Sequence, residues 1–210
     1  MHGKSESSRG CADLLPGPQS SDPQQLFAWK NALYFQARTE THGAELWKCD
    51  NASEPVLLGD LAPGIEDSAP YGFVAAGDLL FFRANDLSHG DELWASDGTP
   101  EGTRLVFDLW PGQESSSPYN MVALANRLFF TANDGAHGEE LWSLDLAETS
   151  AKPQMVAELA PGTDGAEPHD LAVTGENTGI FVYKTPDGDG LMRLVVEDGT
   201  TRLTPVEGLR

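Results

Sequence analysis

The sequence predicts an all-β fold, a β-propeller built from four repeats of four antiparallel strands. The first observation behind this prediction is a repeat: the phrase His-Gly-x-Glu-Leu-Trp occurs three times, and its tryptophans Trp47, Trp94 and Trp142 lie 47 and 48 residues apart. The second is that glycine and proline divide each unit into short apolar segments. A period of this length with strand-like content is typical of propeller blades and related β-arrays.

The repeat covers nearly the whole chain. Each unit has an apolar triplet before the His-Gly step, a Pro-Gly connector after the Trp segment, and a closing proline. The predicted parts are an N-terminal segment at 1–23 and four units at about 24–70, 71–118, 119–168 and 169–210. The fourth unit is the most divergent, and in it we align Arg193-Leu194-Val195 with Glu-Leu-Trp.

The second unit shows the four predicted strands best. Residues 71–76 form the first strand, which ends at a Gly-Asp turn of the kind that closes tight hairpins. Residues 79–84 are aromatic and almost continuously apolar, as in a strand buried on both faces. Residues 92–96 form a third predicted strand, in which Glu92, Trp94 and Ser96 lie on one face and Leu93 and Ala95 on the other. An Asp-Gly-Thr turn then leads to the fourth strand at 104–108.

Two sets of repeated residues have structural interpretations. We expect Trp47, Trp94 and Trp142 to fill the space between neighbouring sheets, because a tryptophan has the area to anchor one blade on the next. An aspartate also recurs after the Trp segment in all four units, as Asp50, Asp97, Asp145 and Asp198. Aspartate at the start of a tight turn accepts a backbone hydrogen bond from two residues further on, which explains its recurrence.

The phrase Glu92-Leu93-Trp94-Ala95-Ser96-Asp97-Gly98-Thr99, with its shorter copies at Glu45-Leu46-Trp47 and Glu140-Leu141-Trp142, resembles the motif of the bacterial ELWxxDGT-repeat proteins. This resemblance implies a propeller-like chain, secreted or associated with the cell surface, with no defined biochemical role. The first and third units depart from the motif, because they lack its Gly-Thr pair.

Charge and composition limit the functions. The net charge is −20 and the pI about 4.3, which argues against nucleic acid and anionic membrane surfaces as partners. No stretch of eighteen apolar residues would span a membrane. The acidity suits an extracellular or cell-surface protein, although no signal peptide precedes Cys11.

Two cysteines are too few for a disulfide framework. Cys49 occupies a position that holds Ser96 and Leu144 in the next two units, so the repeat does not require a thiol there. We therefore expect two free cysteines. The alternative is a single bridge from Cys11 to Cys49 that ties the N-terminal segment to the first unit of an exported protein.

Three histidines at matched positions, His42, His89 and His137, raise the hypothesis of a metal ring. Each is followed three residues later by a glutamate, and three histidines with an open fourth position are typical of catalytic zinc. The favoured interpretation is structural, because equivalent blade positions away from the axis lie too far apart to share one ion. An imidazole can also hold a loop by its two nitrogens.

The loops that contain these histidines are the predicted binding surface, since propellers present variable loops on a rigid scaffold. The candidate binding residues are His42, Asn85, Asp86, His89, Asn133, Asp134, His137 and Asp187. Asp86 and Asp134 could also offer oxygen ligands to calcium. We favour turn formation by the Asn and Asp side chains, and expect no cofactor.

For function, the sequence favours a non-enzymatic extracellular or surface-associated module that binds a glycan or a protein. One alternative is a propeller-fold hydrolase or lyase that uses carboxylates in an acidic central channel. Another is a purely structural module of a larger repeat array. No Ser-His-Asp order or phosphate-binding loop is present in the sequence, so no catalytic residue is assigned.

The N-terminal segment raises the question of how four units close. Residues 10–14 align with the end of a fourth strand, and we expect them to pack beside Arg202-Leu203-Thr204 and fasten a four-unit monomer. The alternative is an open array that a second chain completes as a dimer, since an unmatched sheet edge invites association.

Overall fold

The computed structural model describes residues 11–50, 54–148 and 150–207. Sixteen strands form four four-stranded antiparallel sheets, and in each sheet the strands neighbour one another in sequence order. The first two sheets comprise β1 (Gln24–Trp29), β2 (Ala32–Ala37), β3 (Glu45–Asp50), β4 (Val56–Gly59), β5 (Tyr71–Ala76), β6 (Leu79–Asn85), β7 (Asp91–Ser96) and β8 (Arg104–Phe107). The other two comprise β9 (Tyr119–Leu124), β10 (Arg127–Asn133), β11 (Glu139–Asp145), β12 (Gln154–Ala157), β13 (His169–Val173), β14 (Thr178–Thr185), β15 (Gly188–Glu197) and β16 (Thr200–Pro205).

The prediction of an all-β chain with four strands in each unit is confirmed, and the strands predicted in the second unit agree with β5 to β8 within one residue. The alignment predicted for the fourth unit is wrong. Phe181 pairs with Met192 as Phe130 pairs with Trp142, so Leu191-Met192, and not Leu194-Val195, occupies the Leu-Trp position. Gly190 therefore stands where the other units have glutamate, because the hairpin between β14 and β15 is shorter.

Consecutive sheets pack face to face through apolar side chains. Tyr34 and Leu46 of the first sheet contact the second, Phe81 and Leu93 of the second contact the third, and Phe129 and Leu141 of the third contact the fourth. All six side chains are almost completely buried. Burial of each large side chain contributes about 1.5–3 kcal/mol relative to exposure.

Two of the three repeated tryptophans lie in these layers, as predicted, whereas Trp47 packs on the outer face of the first sheet with Phe35 and Leu14. Trp94 packs against the first sheet and Trp142 against the second. The indole N–H groups of Trp47 and Trp142 donate to the carbonyl oxygens of Ala37 (3.0 Å) and Ala132 (3.1 Å). The buried Nε1 of Trp94 has no hydrogen-bond partner among the described residues.

The expectation of free cysteines is wrong. Cys11 and Cys49 form a disulfide with their Cα atoms 5.8 Å apart. The strand β3 brings Cys49 to the face of the first sheet that points away from the second, and the N-terminal segment crosses this face. Spacing within one sequence cannot reveal this approach, because it depends on the path of the segment.

The expected place of the N-terminal segment is also wrong. Leu14 packs on the first sheet with Phe35 and Trp47, and the described residues before β1 form no strand beside β16. Within the described ranges no core cluster joins the fourth sheet to the first. Residues 1–10 of the predicted segment and residues 51–53 after Asp50 lie outside the described part of the chain.

Candidate functional site

The repeated glutamate is a buried anchor for the connector that leads to the next sheet. Glu45 is fully buried at the start of β3. Its carboxylate accepts hydrogen bonds from the backbone N–H groups of Leu61 (3.2 Å) and Ala62 (3.1 Å), and from the hydroxyl of Ser68. These partners all belong to the stretch between the first and second sheets, so a single side chain holds that connector in place.

The same anchor recurs in the next two units. Glu92 accepts the backbone N–H groups of Leu109 (3.2 Å) and Ser116 (3.0 Å), and Glu140 accepts that of Leu159 (3.1 Å). From the sequence, these glutamates were expected only as members of a possible metal ring, and their role as anchors is new. The signal was present, because the Asp/Glu-Leu-x-Pro-Gly connector follows each glutamate at a nearly constant distance.

Burial controls the ionisation of these anchors. It raises the pKa of Glu45 to about 7, against the hydrogen bond from Ser68 and those from the connector backbone, which lower it. Burial likewise raises the pKa of Glu92 and of Glu140 above the ordinary value. These carboxyl groups are perturbed because they are structural, and a perturbed pKa here does not indicate catalysis.

The glycine of each His-Gly step allows the connector to approach the sheet. A Cβ atom on Gly43 would lie 1.8 Å from the carbonyl oxygen of Glu66, and one on Gly90 would lie 2.1 Å from that of Glu114. Gly90 also has a φ of +67°, which favours glycine. The His-Gly-x-Glu-Leu-Trp phrase is thus explained as a device that holds the connector and packs the next sheet.

The predicted binding loops are turns held by their own side chains. Asn85 Oδ1 accepts the N–H of Leu87 (2.7 Å) and Asp86 Oδ1 accepts that of Ser88 (2.9 Å). The other oxygen of Asp86 lies 2.7 Å from Nδ1 of His89. The predicted Asx turns are confirmed, while a binding role for these residues stays a prediction.

The third unit repeats this loop, and the first and fourth do not. Asn133 accepts the N–H of Gly135 (2.7 Å), and Asp134 lies 2.8 Å from His137. His42 instead lies 3.1 Å from the hydroxyl of Thr39. Asp187 occupies the short turn between β14 and β15, where no histidine is present.

The Asp–His hydrogen bonds shift the pKa values of their partners. The hydrogen bond between Nδ1 of His89 and the carboxylate of Asp86 raises the pKa of His89. Partial burial acts to raise the pKa of Asp86, but the bonds from His89 and from the loop backbone outweigh it and lower this pKa. Among the described residues, no three His, Cys, Asp or Glu side chains are grouped as a metal site would require.

Two of the repeated aspartates, Asp97 and Asp145, form the predicted turns. Asp97 accepts the N–H of Thr99 (2.9 Å), and Asp145 accepts that of Ala147 (2.9 Å). Asp198 occupies the turn between β15 and β16 with a φ of 49°, and Asp50 ends β3.

The first strands of the four units, β1, β5, β9 and β13, are here called the inner strands, and they share a feature that the sequence did not predict. Each first strand of a unit has a register shift near its start, where one residue has a positive φ. These residues are Gln25 (53°), Gly72 (73°), Asn120 (50°) and Asp170 (53°). Each follows two residues after a proline. Left-handed residues in strands mark bulges, which redirect side chains and are common beside functional sites.

The bulges of β1, β5 and β9 line a groove, here called the inner-strand groove, with a volume of about 360 Å³. Its rim carries Leu26 and Tyr71, whose exposed fractions are 64% and 55%. Its polar groups are the amides of Gln25 and Asn120 and the phenols of the two tyrosines. The floor includes Phe73.

Tyr119 is the fixed member of the groove. Its hydroxyl donates to Oε2 of Glu139 (2.7 Å), and burial together with this carboxylate raises the pKa of Tyr119 above its ordinary value. The phenol therefore stays protonated and keeps its orientation.

The groove's chemistry suits binding more than acid–base catalysis. Its described lining offers amide, phenol and apolar groups and no carboxylate. Hydrolysis of a glycosidic bond ordinarily requires two carboxyl groups that flank the bond. The described lining of this groove therefore differs from the acidic central channel that the hydrolase alternative requires.

Comparisons with known proteins identify a fold. No protein-family model and no curated protein matches the chain significantly. Among solved structures, the chain is similar to prolyl oligopeptidase B from Galerina marginata bound to a hydrolysis and macrocyclization substrate, at 13% identity and a TM-score of 0.56, over 88% of this chain and 26% of that one. It is similar to a prolyl endopeptidase at 13% identity and a TM-score of 0.53, over 83% and 24%.

A puromycin hydrolase is similar at 13% identity and a TM-score of 0.50, over 86% of this chain and 32% of that one. The chain thus spans a third or less of the length of each of these enzymes. The similarity is to β-propeller domains, and at this level of identity it concerns the fold alone.

Proposed function

We propose that the chain is an extracellular or surface-associated β-propeller module of the ELWxxDGT-repeat kind, and that it binds a glycan through the inner-strand groove. The observation that carries this proposal is the groove itself, where an exposed tyrosine and two amide side chains stand on successive inner strands. These residues differ between units, whereas the connector anchors recur.

The glycan is favoured by the chemistry of the lining. A sugar ring has apolar C–H faces that can stack on the exposed ring of Tyr71, and hydroxyl groups that can both donate and accept hydrogen bonds. The side-chain amides of Gln25 and Asn120 each offer a donor and an acceptor. A shallow groove with uncharged polar groups suits a neutral oligosaccharide better than an ionic ligand.

Two further features support the proposed cellular location. The Cys11–Cys49 disulfide supports an oxidising compartment, since such bonds persist outside the cytosol. The net charge of −20 supports a protein that remains dispersed in a salty medium. In the described part of the chain, no helix is long and apolar enough to cross a membrane.

The test is a glycan array probed with purified protein, followed by calorimetry on the best ligand. The variants are Asn120→Gly and Gln25→Gly, which remove an amide while glycine accepts the left-handed backbone. Gln113→Ala is the matched control, because this amide lies on the second connector, outside the groove.

We expect each groove variant to weaken glycan binding about tenfold, as the loss of one good hydrogen bond does. The control should bind as the parent does. If no glycan is bound, or if binding survives both groove variants, the proposed function is wrong. Recovery of a protein partner that the groove variants lose would replace the glycan by a protein at the same site.

A further inference from the structure

The Asp-Gly turn of one sheet docks on the preceding sheet at two of the three junctions. Lys48 of the first sheet donates to the carbonyl oxygen of Gly98 (3.0 Å), and a Cβ on that glycine would lie 2.5 Å from the hydroxyl of Tyr34. At the third junction, Arg127 donates to the carbonyl oxygen of Gly199 (2.9 Å). At these two junctions the turn is tied to the neighbouring sheet.

The junction of the second and third sheets lacks this turn. The third unit has Leu146 and Ala147 in place of Gly-Thr, and a longer loop leads to β12. The N–H of Leu146 turns back to the carbonyl oxygen of Asn126 (3.1 Å). A cavity of about 600 Å³, here called the junction groove, opens there between the two sheets.

The junction groove lies away from the inner-strand groove. The two grooves share no described lining residue: residues 71–74 at the start of β5 line the inner-strand groove, and Ala76 at its end lines the junction groove. Its floor is apolar and is formed by Leu79, Phe81, Val106, Phe107, Leu144 and Leu146. Cavities of this size with an apolar floor and a few polar groups are typical of small-molecule sites.

Two cations, Arg104 and Lys152, stand at the rim without a close ion pair among the described residues. Arg104 donates to the carbonyl oxygen of Gly102 (3.2 Å), and Nζ of Lys152 lies 5.2 Å from the ring centroid of Phe107. Within the described residues neither forms an ion pair, although the chain has 33 acidic and 13 basic residues. Such cations retain their capacity to bind an anion.

The carboxylates of the same rim are mostly occupied. Asp78 pairs with Lys30 (3.4 Å), and Asp145 pairs with Arg127 (3.1 Å). Glu148 also lines the groove and is exposed. Asp97, whose pKa is lowered by the hydrogen bond from Thr99 and by the charge of Arg104, is not part of the described lining of the groove. Arg104 and Lys152 therefore keep hydrogen-bond donors at the rim that can face the carboxylate of a ligand.

We propose that the junction groove binds a small organic carboxylate with an apolar body, such as an aliphatic acid of medium length. The apolar body lies on the floor between the two sheets, and the carboxylate lies at the rim between Arg104 and Lys152. The hydrophobic contribution comes from removing the body from water, and the cations select the acid over a neutral analogue.

The probe is decanoate, measured by calorimetry, with decanol as its neutral analogue. The test variant is Arg104→Gln with Lys152→Gln. The matched control is Arg193→Gln with Arg202→Gln, which removes the same charge from exposed arginines on the fourth sheet. All four side chains are exposed, so neither variant should unfold the protein.

We expect decanoate to bind the parent protein and the control alike, and to bind the test variant about tenfold more weakly, since two partly exposed ion pairs with the ligand are lost. Decanol should bind the parent and the test variant equally and more weakly than decanoate does on the parent. A second variant, Ala151→Trp, fills the groove and should abolish binding.

Equal binding of decanoate to the parent and the test variant would overturn the proposal, and so would equal affinity for decanol and decanoate. Continued binding to a folded Ala151→Trp protein would place the ligand elsewhere. Because the glycan variants lie in the other groove, failure here leaves the proposed glycan function untouched.

Discussion

The connector anchors and the inner strands differ in whether the same residue recurs from unit to unit. On the connector side, Glu45 and Glu92 make nearly the same buried hydrogen bonds in successive units. On the inner strands, the left-handed position is Gln25 in one unit and Asn120 in another, with an exposed Tyr71 between them. Residues that recur build the scaffold, whereas residues that vary on a recurring backbone provide the candidate site.

The physical reason is that each sheet meets the same packing problem. A connector must be attached and a neighbouring face must be filled, so the same buried carboxylate serves three times and the same indole fills a space between sheets twice. The proposed ligand would meet the inner strands of several units at once, so equivalent positions there need not be alike. Variation is therefore informative in a repeat protein.

The largest effect should come from emptying a recurrent packing position. Trp94→Ala should lower the free energy of unfolding by about 3–5 kcal/mol, because it opens a cavity between the first two sheets. Leu87→Ala, at a side chain that is 46% exposed, is the control and should cost less than about 0.5 kcal/mol. Denaturant unfolding measures both. An unchanged stability for Trp94→Ala, with ligand binding lost, would place this tryptophan in the binding site instead.

The disulfide tests whether a residue that does not recur can also be structural, because Cys49 has no counterpart in the next two units. Cys11→Ser should lower the free energy of unfolding by about 2–4 kcal/mol, because the bond closes a long loop and holds Leu14 on the first sheet. Thermal unfolding with and without reductant checks it. The reductant should destabilise the parent and leave the variant unchanged. A parent protein that reductant does not affect would contradict the bond's role.

The buried glutamates predict that the free energy of unfolding depends on pH. The described lining of the inner-strand groove has no carboxylate that would contribute in this way. The pKa of Glu45 is raised from 4.5 to about 7, so the folded state holds the proton more tightly than the unfolded chain does. Stability from this group is present below about pH 4.5 and is lost as the pH rises through 7, by up to about 3 kcal/mol.

Unfolding of the parent and of Glu45→Gln at several pH values isolates this contribution, because general charge repulsion is similar in both. The stability difference between the two proteins should shift in favour of the glutamine variant as the pH rises from 4.5 to 7. A difference that stays constant over this range would show that the carboxyl group does not retain its proton in the folded protein.

The smallest effect concerns calcium. Asp86 and Asp134 already bind their own loops and histidines, so a chelator should shift the melting temperature by less than about 1 °C. A loss of several degrees that added calcium restores would mean that these loops hold an ion, and they would then join the candidate site.

Much of the fold was predictable because its determinants are local. The alternation of polar and apolar residues, the Gly-Asp turn and the Asp-Gly-Thr turn located the strands of the second unit within one residue. The fourth unit was misaligned, since its hairpin is shorter and its motif residues are replaced. The loops at Asn85 and Asn133 were correctly interpreted as turns, because an Asx turn depends only on neighbouring residues.

The sequence by itself determined the repeat, the strand content and the residues that pack between sheets, because periodicity and turn chemistry act over a few residues. The constant spacing of glutamate and connector indicates that the two belong to one unit, but not that they bond. Only the tertiary structure decided the pairing of Cys11 with Cys49, the connector bonds of the glutamates and the two grooves. Each of these joins atoms from separate units or from opposite ends of a connector. Such distances depend on how the sheets stack, and no local pattern contains that information.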